Sequence, residues 1–435
     1  MPTWTLMLWI AGGACGAATG VYWGVAVWRA IRTACTLPTA RRGVSLAARQ
    51  AAAGERPPSV CVLVPAHNEA AVIGRLAHSL TSQRYPRMRV LWVLDRCTDD
   101  TDAVLARATG GDPRFRRLHV SHCPDGWSGK VHALWQAAST GPEAVEAELL
   151  LFTDADTVFH PECIGAAVAL MRHRGLDLLS LLSTLEAGAW FERTLQPAAS
   201  LELARMYPPL RANAPDGARP MANGQFMLFR RAAYQAAGGH RAVKDELLED
   251  MALAEFTARS GGRAGVLVAA GMLRCRMYPS FASFASGWRR IFTEIARRKP
   301  SRLRRAAAIE LLMHALLPVA AMVTGTSWVL GGGGTAATVA GVLGLLGSAA
   351  YAGTLILSLW LSGAGPVAMA CYPLSAVWVA RCLWHAAREL EAGTPIRWGG
   401  REYVRPNRDR DPTPMREFKP QRAPDQKPSD EPAGV

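Results

Sequence analysis

The chain has 435 residues, half of them hydrophobic, and a mean hydropathy of +0.06, which is too apolar for one soluble domain and too polar for a bundle made only of membrane helices. Its formal charge of +14, from 49 Lys and Arg against 35 Asp and Glu, clusters beside apolar segments, as over residues 289–305. That placement argues for positive-inside flanks and anionic lipid rather than nucleic acid. The nine cysteines are scattered singly with no CxxC pair, which argues against a disulfide framework or a zinc site and for reduced thiols.

The first 28 residues carry no charge, and Arg29, Arg32, Arg41 and Arg42 follow. A secretory signal places basic residues before its apolar run, so residues 1–28 are expected to form a retained transmembrane anchor with its N-terminus outside. Residues 29–58 are expected to be a linker, polar over 43–58. From residue 60 the pattern becomes that of an α/β domain, with β-rich runs at 60–64, 90–94 and 149–152 alternating with helical stretches. That rhythm predicts a mostly parallel sheet.

The ends of these runs are polar. The first gives way to Pro65-Ala66-His67-Asn68-Glu69, where Asn68 suits a helix cap. The second ends in Asp95, followed by Cys97-Thr98-Asp99-Asp100-Thr101. Two successive strands that deliver acids to one sheet edge point to recognition of a ribose and base. Next, Asp125-Gly126-Trp127-Ser128-Gly129-Lys130 opens a helical stretch; backbone amides and an ammonium there suit a diphosphate or, equally, a solvated loop. The third run, ELLLFTDAD, ends in Asp154 and Asp156, whose alternate spacing puts both carboxylates on one side if the strand continues. Two such oxygens seat a hard divalent cation that itself holds a diphosphate.

Further along, Gln225 enters an apolar run beside Gly224, Gly238-Gly239 reads as a turn before His240, and Glu249-Asp250 reads locally as an acid pair at a helix N-terminus. Ser286-Gly287-Trp288-Arg289-Arg290 combines an aromatic platform with guanidinium groups suited to phosphate or to a headgroup layer. Membrane segments are expected over 306–386. Residues 306–330 and 335–361 are each long enough to span, with GGGG between them, and 366–380 is a shorter stretch containing Pro373, expected to be interfacial. Arg388, Arg397, Arg401 and Arg405 make residues 387–435 a basic tail on the cytosolic side, expected to be disordered from about Pro406.

Taken as a set, VLVPAHNE (62–69), LDRCTDDT (94–101), SGKVHAL (128–134), TDAD (153–156), ANGQFMLFRR (222–231), GGH (238–240) and LEDMAL (248–253) resemble the family 2 glycosyltransferases. The likeness is strongest to membrane-anchored bacterial members acting on lipid, carotenoid or hopanoid acceptors and to ceramide-type enzymes. It covers about residues 59–300. A further match near 397–403 resembles a W-[KR]-G-R-x-Y segment. The resemblance implies a GT-A fold over 59–300, a nucleotide-sugar donor (a UDP-sugar by preference), Mg2+ or Mn2+, and inversion at the sugar.

Carried over by motif, Glu69, Asp95, Lys130 and Asp154 would contact the donor, Asp156 the metal, and Asp250 would be the catalytic base. Gln225, Glu249, Trp288, Arg289 and Arg290 would contact acceptor or diphosphate. Inversion does require a carboxylate on the acceptor side to take the hydroxyl proton. The family's QxxRW signature is replaced by Trp288-Arg289-Arg290, which favours single transfer over a processive polysaccharide synthase. The expected enzyme joins a sugar to a lipid at the cytosolic face of the inner or plasma membrane and binds no nucleic acid. A nucleotidyltransferase and a catalytically silent scaffold are the readings from other classes.

Overall fold

Continuous apolar strands are stable only when both sheet faces are covered, and that is how the centre of this chain is built. The computed structural model describes residues 2–214, 219–398 and 401–410. Its strands are β1 (Val60–Ala66), β2 (Met88–Asp95), β3 (Phe115–Val120), β4 (Leu149–Phe152), β5 (Thr157–Phe159), β6 (Leu178–Leu182), β7 (Thr184–Leu185), β8 (Met227–Arg230), β9 (Ala264–Val268) and β10 (Leu273–Cys275). Seven form one sheet in the order β3-β2-β1-β4-β8-β6-β9. Neighbours are parallel except at β8, which runs antiparallel to β4 and β6. This is the mostly parallel α/β architecture of the GT-A class.

Side-chain alternation divides the core between the two faces. Val60, Val62 and Val64 of β1 pack with Ile73 and Leu76 on one face, while Cys61 and Leu63 pack with Val131 and Leu134 on the other. Val60 pairs with Met88 on one side and Leu149 on the other, so β2, β1 and β4 start level and end at one edge. A small sheet, β5-β10-β7, stands beside that edge.

The chain enters through α1 (Thr3–Thr36), which at 1.5 Å per residue is about 50 Å long, more than the ~30 Å of a hydrocarbon core. The expected linker is not one: residues 42–52 form α2 (Arg42–Ala52), docked on the domain. Val44 and Leu46 pack on its core, and Gly43 lies so close to the Ala166 carbonyl that no Cβ would fit. Polar composition concealed this, because the helix buries only one stripe.

Four more helices position the site: α3 (Gly129–Thr140), α4 (Trp190–Met206), α5 (Glu249–Arg259) and α6 (Phe281–Ile295). They are followed by α7 (Pro300–Gly331) and α8 (Thr335–Ser362). Among the described residues, three helices are long and apolar enough to cross a membrane: Thr3–Thr36, Pro300–Gly331 and Thr335–Trp360. The first of the C-terminal pair starts six residues before the expected apolar boundary at 306, with charged turns.

The segment after 366 is helical in two pieces, Pro366–Ala370 and α9 (Tyr372–Glu391). Pro373 opens the second helix rather than interrupting one, since a first-turn proline forfeits no hydrogen bond. Ala376, Val379, Leu383, Ala387 and Leu390 of α9 are buried in a second core with Phe284 and Trp288 of α6. Beyond the short hairpin of β11 (Ile396–Trp398) and β12 (Arg401–Tyr403), residues 406–410 are held where disorder was expected. The Arg408 N–H donates to the Arg298 carbonyl (3.0 Å) and the Ser301 N–H to the Asp409 carboxylate (2.8 Å). The rest of the tail expected to be disordered, residues 411–435, lies outside the described residues, as do 399 and 400.

Candidate active site

Three strand ends bring acids to one edge. After β1, Asn68 turns the chain in the left-handed region (φ 58°), which asparagine tolerates. Its side chain caps no helix: Oδ1 accepts from the Thr98 N–H (2.8 Å), which ties the loop after β1 to the loop after β2. Glu69 follows, held by its backbone N–H donating to Thr101 Oγ1 (2.8 Å). At the end of β2, Arg96 also has positive φ (50°), and it folds back so that its guanidinium grips the buried Asp95 carboxylate through Nε and Nη2, at 2.7 and 2.6 Å.

Asp154 and Asp156 lie in the turn between β4 and β5, not on a continuing strand, so alternation does not set their directions. Asp154 Oδ1 meets Lys130 Nζ at 2.6 Å. Asp156 instead lies beside the end of β10, where its backbone carbonyl accepts from the Arg276 N–H at 3.4 Å. Asp156 Oδ1 is sealed from solvent and has no hydrogen-bond partner among the described residues.

Lys130, in the first turn of α3, also meets Glu249 Oε1 at 2.6 Å, so one ammonium joins the strand-edge acids to those of α5. Next in α5, Asp250 Oδ2 accepts from the Gly224 N–H and Oδ1 from the Met251 N–H, both at 2.7 Å. The approach leaves little room at Gly224: a Cβ there would stand 3.2 Å from Lys130 Nζ and 3.4 Å from Asp250 Oδ2.

Desolvation dominates the electrostatics. It raises the Asp250 carboxyl to about 7, with the Glu249 charge adding to it. It raises Asp156 to about 7 with help from Asp154, and Glu69 to about 7 with help from Asp154 and Asp99. Burial opposes the charge on Lys130, but Asp154 and Glu249 overcome it and hold the ammonium above its ordinary range. An excess of acids in a desolvated cleft is relieved by an added positive charge. No group of three or more His, Cys, Asp or Glu stands ready as a metal cage among the described residues, so other ligand oxygens would have to come from a bound molecule.

The remaining sequence candidates divide. Glu69, Asp95, Lys130, Asp154, Asp156, Gln225, Glu249, Asp250, Trp288 and Arg290 all line one cavity of about 2690 Å³. Trp288 is buried, and its indole N–H has no partner among the described residues. The Arg290 guanidinium donates to the Leu247 carbonyl (3.0 Å), just before the acid pair. Arg289 points elsewhere, to Glu389 of α9 at 3.0 Å, because adjacent helical residues face about 100° apart. Gln225 is committed by its amide to Ser183, Asn223 and Cys275. His240 is a core residue, hydrogen-bonded to Tyr234 Oη (2.9 Å) and held neutral by burial, its pKa lowered to about 3.

The same cavity runs from the acids to the apolar helices, where α1, α4, α7 and α8 contribute Tyr22, Trp23, Gln196, Arg205, Met313, His314 and Thr354 to its wall. Motif reading missed this end. His314 sits in a π-helical turn, Leu312–Leu316, with its ring nitrogens bonded to Tyr22 Oη (2.7 Å) and Tyr372 Oη (2.9 Å). Two ionisable residues one turn apart in an apolar span, Glu310 and His314, were the signal available.

A family model described as "Glycosyltransferase like family 2" matches residues 57–286. Among curated proteins, the chain is 26% identical over 239 residues to a 4,4'-diaponeurosporenoate glycosyltransferase of Staphylococcus aureus strain MRSA252, covering 53% of this chain and 60% of that protein. It is 27% identical over 242 residues to the enzyme of the same name from bovine strain RF122, with the same coverage. The chain therefore spans well under two thirds of these relatives' length. Among solved structures, it is similar to a mannosyltransferase from Pyrobaculum calidifontis in complex with GDP-Man and Mn2+, at 19% identity and TM-score 0.48, covering 89% of this chain and 98% of that one. It is also similar to glucosyl-3-phosphoglycerate synthase from Mycobacterium tuberculosis with Mn2+, UDP and glucosyl-3-phosphoglycerate, at 22% identity, TM-score 0.38, and 58% and 82% coverage.

Proposed function

This chain belongs to the glycosyltransferase family 2, and on that premise we propose that it moves one sugar from a nucleotide-sugar donor, by preference a UDP-sugar, to a lipid or isoprenoid-type acceptor at the cytosolic membrane face. One observation carries the reading: a single cavity is lined both by the acid cluster and by helices apolar enough to lie in a bilayer. A water-soluble acceptor gives no reason for that shared lining. The carotenoid-type acceptor in the curated relatives' name is of the same chemical class.

In the proposed reaction Glu69 and Asp95 bind the nucleoside, and the Lys130 ammonium with the start of α3 meets the diphosphate. Asp156, through its unpartnered Oδ1, and Asp154 beside it suit a divalent cation, Mg2+ or Mn2+, with diphosphate oxygens completing the ligand set. When bound, that cation offsets the charge on the departing nucleoside diphosphate. Asp250 takes the acceptor's proton as its oxygen attacks the anomeric carbon from the face opposite the leaving group, so configuration inverts. Gly224 and Met251 each hold one Asp250 oxygen through a backbone N–H, which leaves a lone pair on each oxygen for that proton. Trp288 and Arg290 border the acceptor side.

The metal role is tested by chelation. Transfer is expected to stop in EDTA and return with Mn2+, and Asp156→Ala is expected to lose metal-dependent donor binding. Full activity in chelator would remove the metal from the reaction. A processive synthase would share the donor site, and a ladder of products in place of a single addition would identify it.

A further inference from the structure

We propose that Tyr403, on the hairpin that follows α9, is a further donor-binding residue whose hydroxyl gives its proton to an oxygen of the donor diphosphate. The inference rests on the donor reading above and goes beyond it by bringing the C-terminal part of the chain into the site. Ile396 and Tyr403 are cross-strand partners in β11 and β12, so their side chains lie on one face of the hairpin, and both line the cavity that holds the acid cluster. The hairpin is tied down on both sides. Before it, Glu389 of α9 pairs with Arg289 at 3.0 Å and Glu391 with Arg304 at 2.6 Å. After it, the Arg408 N–H donates to the Arg298 carbonyl (3.0 Å) and the Asp409 carboxylate accepts from the Ser301 N–H (2.8 Å).

Held in this way, the phenol meets the start of α3. The Gly129 N–H, one of the first-turn groups for which a helix has no internal partner, donates to Tyr403 Oη at 3.4 Å. A hydroxyl that accepts one bond still has a proton to give, and that of Tyr403 has no acceptor among the described residues. Groups assigned to the donor stand on both sides of this contact. Lys130 is the next residue, and a Cβ added to Gly129 would lie 3.1 Å from Asp95 Oδ2. Tyr403 is therefore placed where the nucleoside part of the site passes into the diphosphate part. The diphosphate needs donors there, because Lys130 already shares its ammonium between Asp154 and Glu249 at 2.6 Å each. A phenol proton supplies one, and a hydrogen bond to an anionic oxygen is among the stronger kinds. Packing of the hairpin calls only for the ring.

The test is an equilibrium titration of the full-length protein in detergent, with Mn2+, by UDP and GDP and by uridine and guanosine, which carry the same bases and riboses without phosphate. Tyr403→Phe keeps the ring and removes only the hydroxyl. It is expected to bind the nucleoside diphosphate about tenfold less tightly, the loss of one hydrogen bond to a charged group, and to bind the matching nucleoside as native protein does. Native affinity for the nucleoside diphosphate in Tyr403→Phe would overturn the proposal. An equal loss for nucleoside and nucleoside diphosphate would also overturn it, because that is the pattern a shifted hairpin produces. Native protein that binds neither UDP nor GDP would instead fail the donor reading itself, a result distinct from a loss confined to the variant.

Discussion

Asp250 carries the proton-transfer step of the proposed reaction, and its surroundings set the pH at which it can act. Desolvation, with Glu249 beside it, raises its carboxyl to about 7. A base must be unprotonated, so transfer is expected to fall about tenfold per pH unit below that value. Asp250→Asn is expected to lose about 10²- to 10⁴-fold in turnover while keeping nucleotide affinity; an unchanged rate would remove Asp250 from the base role. Stability gives an independent reading of the same group. Its folded pKa lies above the unfolded value near 4, so its contribution is complete at low pH and is lost as pH rises from about 4 to 7. The melting temperature of Asp250→Asn relative to native should therefore rise between pH 5 and pH 8. At this scale the acids and Lys130 were legible because each lies at a strand end or a helix start, where local pattern fixes position. Cys275 was not, since its hydrogen bond from Gln225 joins segments far apart in sequence. Arg289 was assigned to the site with its neighbours, but the helix turns it to Glu389.

Elements were legible where their signal was periodic. The expected strands at 60–64, 90–94 and 149–152 are present, and the first two extend to Val60–Ala66 and Met88–Asp95. The helix at Arg42–Ala52 was hidden because its apolar stripe is narrow, and residues 406–410 because their order comes from a backbone bond and a carboxylate cap, which composition does not reveal. Helix pairing in the apolar part rests on small residues, as it does between membrane helices generally. Gly16 of α1 faces α8 so closely that a Cβ would meet Gly344 N and the Leu343 carbonyl carbon at 2.6 Å. Gly16→Leu is expected to separate the two helices and lower thermal stability in detergent. Gly24→Leu, at a position with nothing within 4 Å, is expected to behave as native. Equal stability of the two variants would contradict the assigned pairing.

For the whole molecule, charge and hydropathy indicated a soluble reaction centre joined to membrane helices, but they gave no sign that one cavity connects the two. That continuity needs α1, from one end of the chain, packed with α7 and α8 from the other. The proposed orientation places Arg29, Arg32 and the catalytic domain in the cytosol, by the positive-inside rule. Exposed Cys35, at the same end of α1, reports it: in a variant keeping only that cysteine, a membrane-impermeant maleimide is expected to label inverted vesicles and not intact cells. The reverse pattern would contradict the orientation. The most direct test of lipid glycosylation is to incubate membranes containing the protein with radiolabelled UDP- and GDP-sugars and Mn2+, and then extract the lipids. The expected result is label in the organic phase as a single added sugar, absent with Asp250→Asn. Label confined to water-soluble material would contradict it.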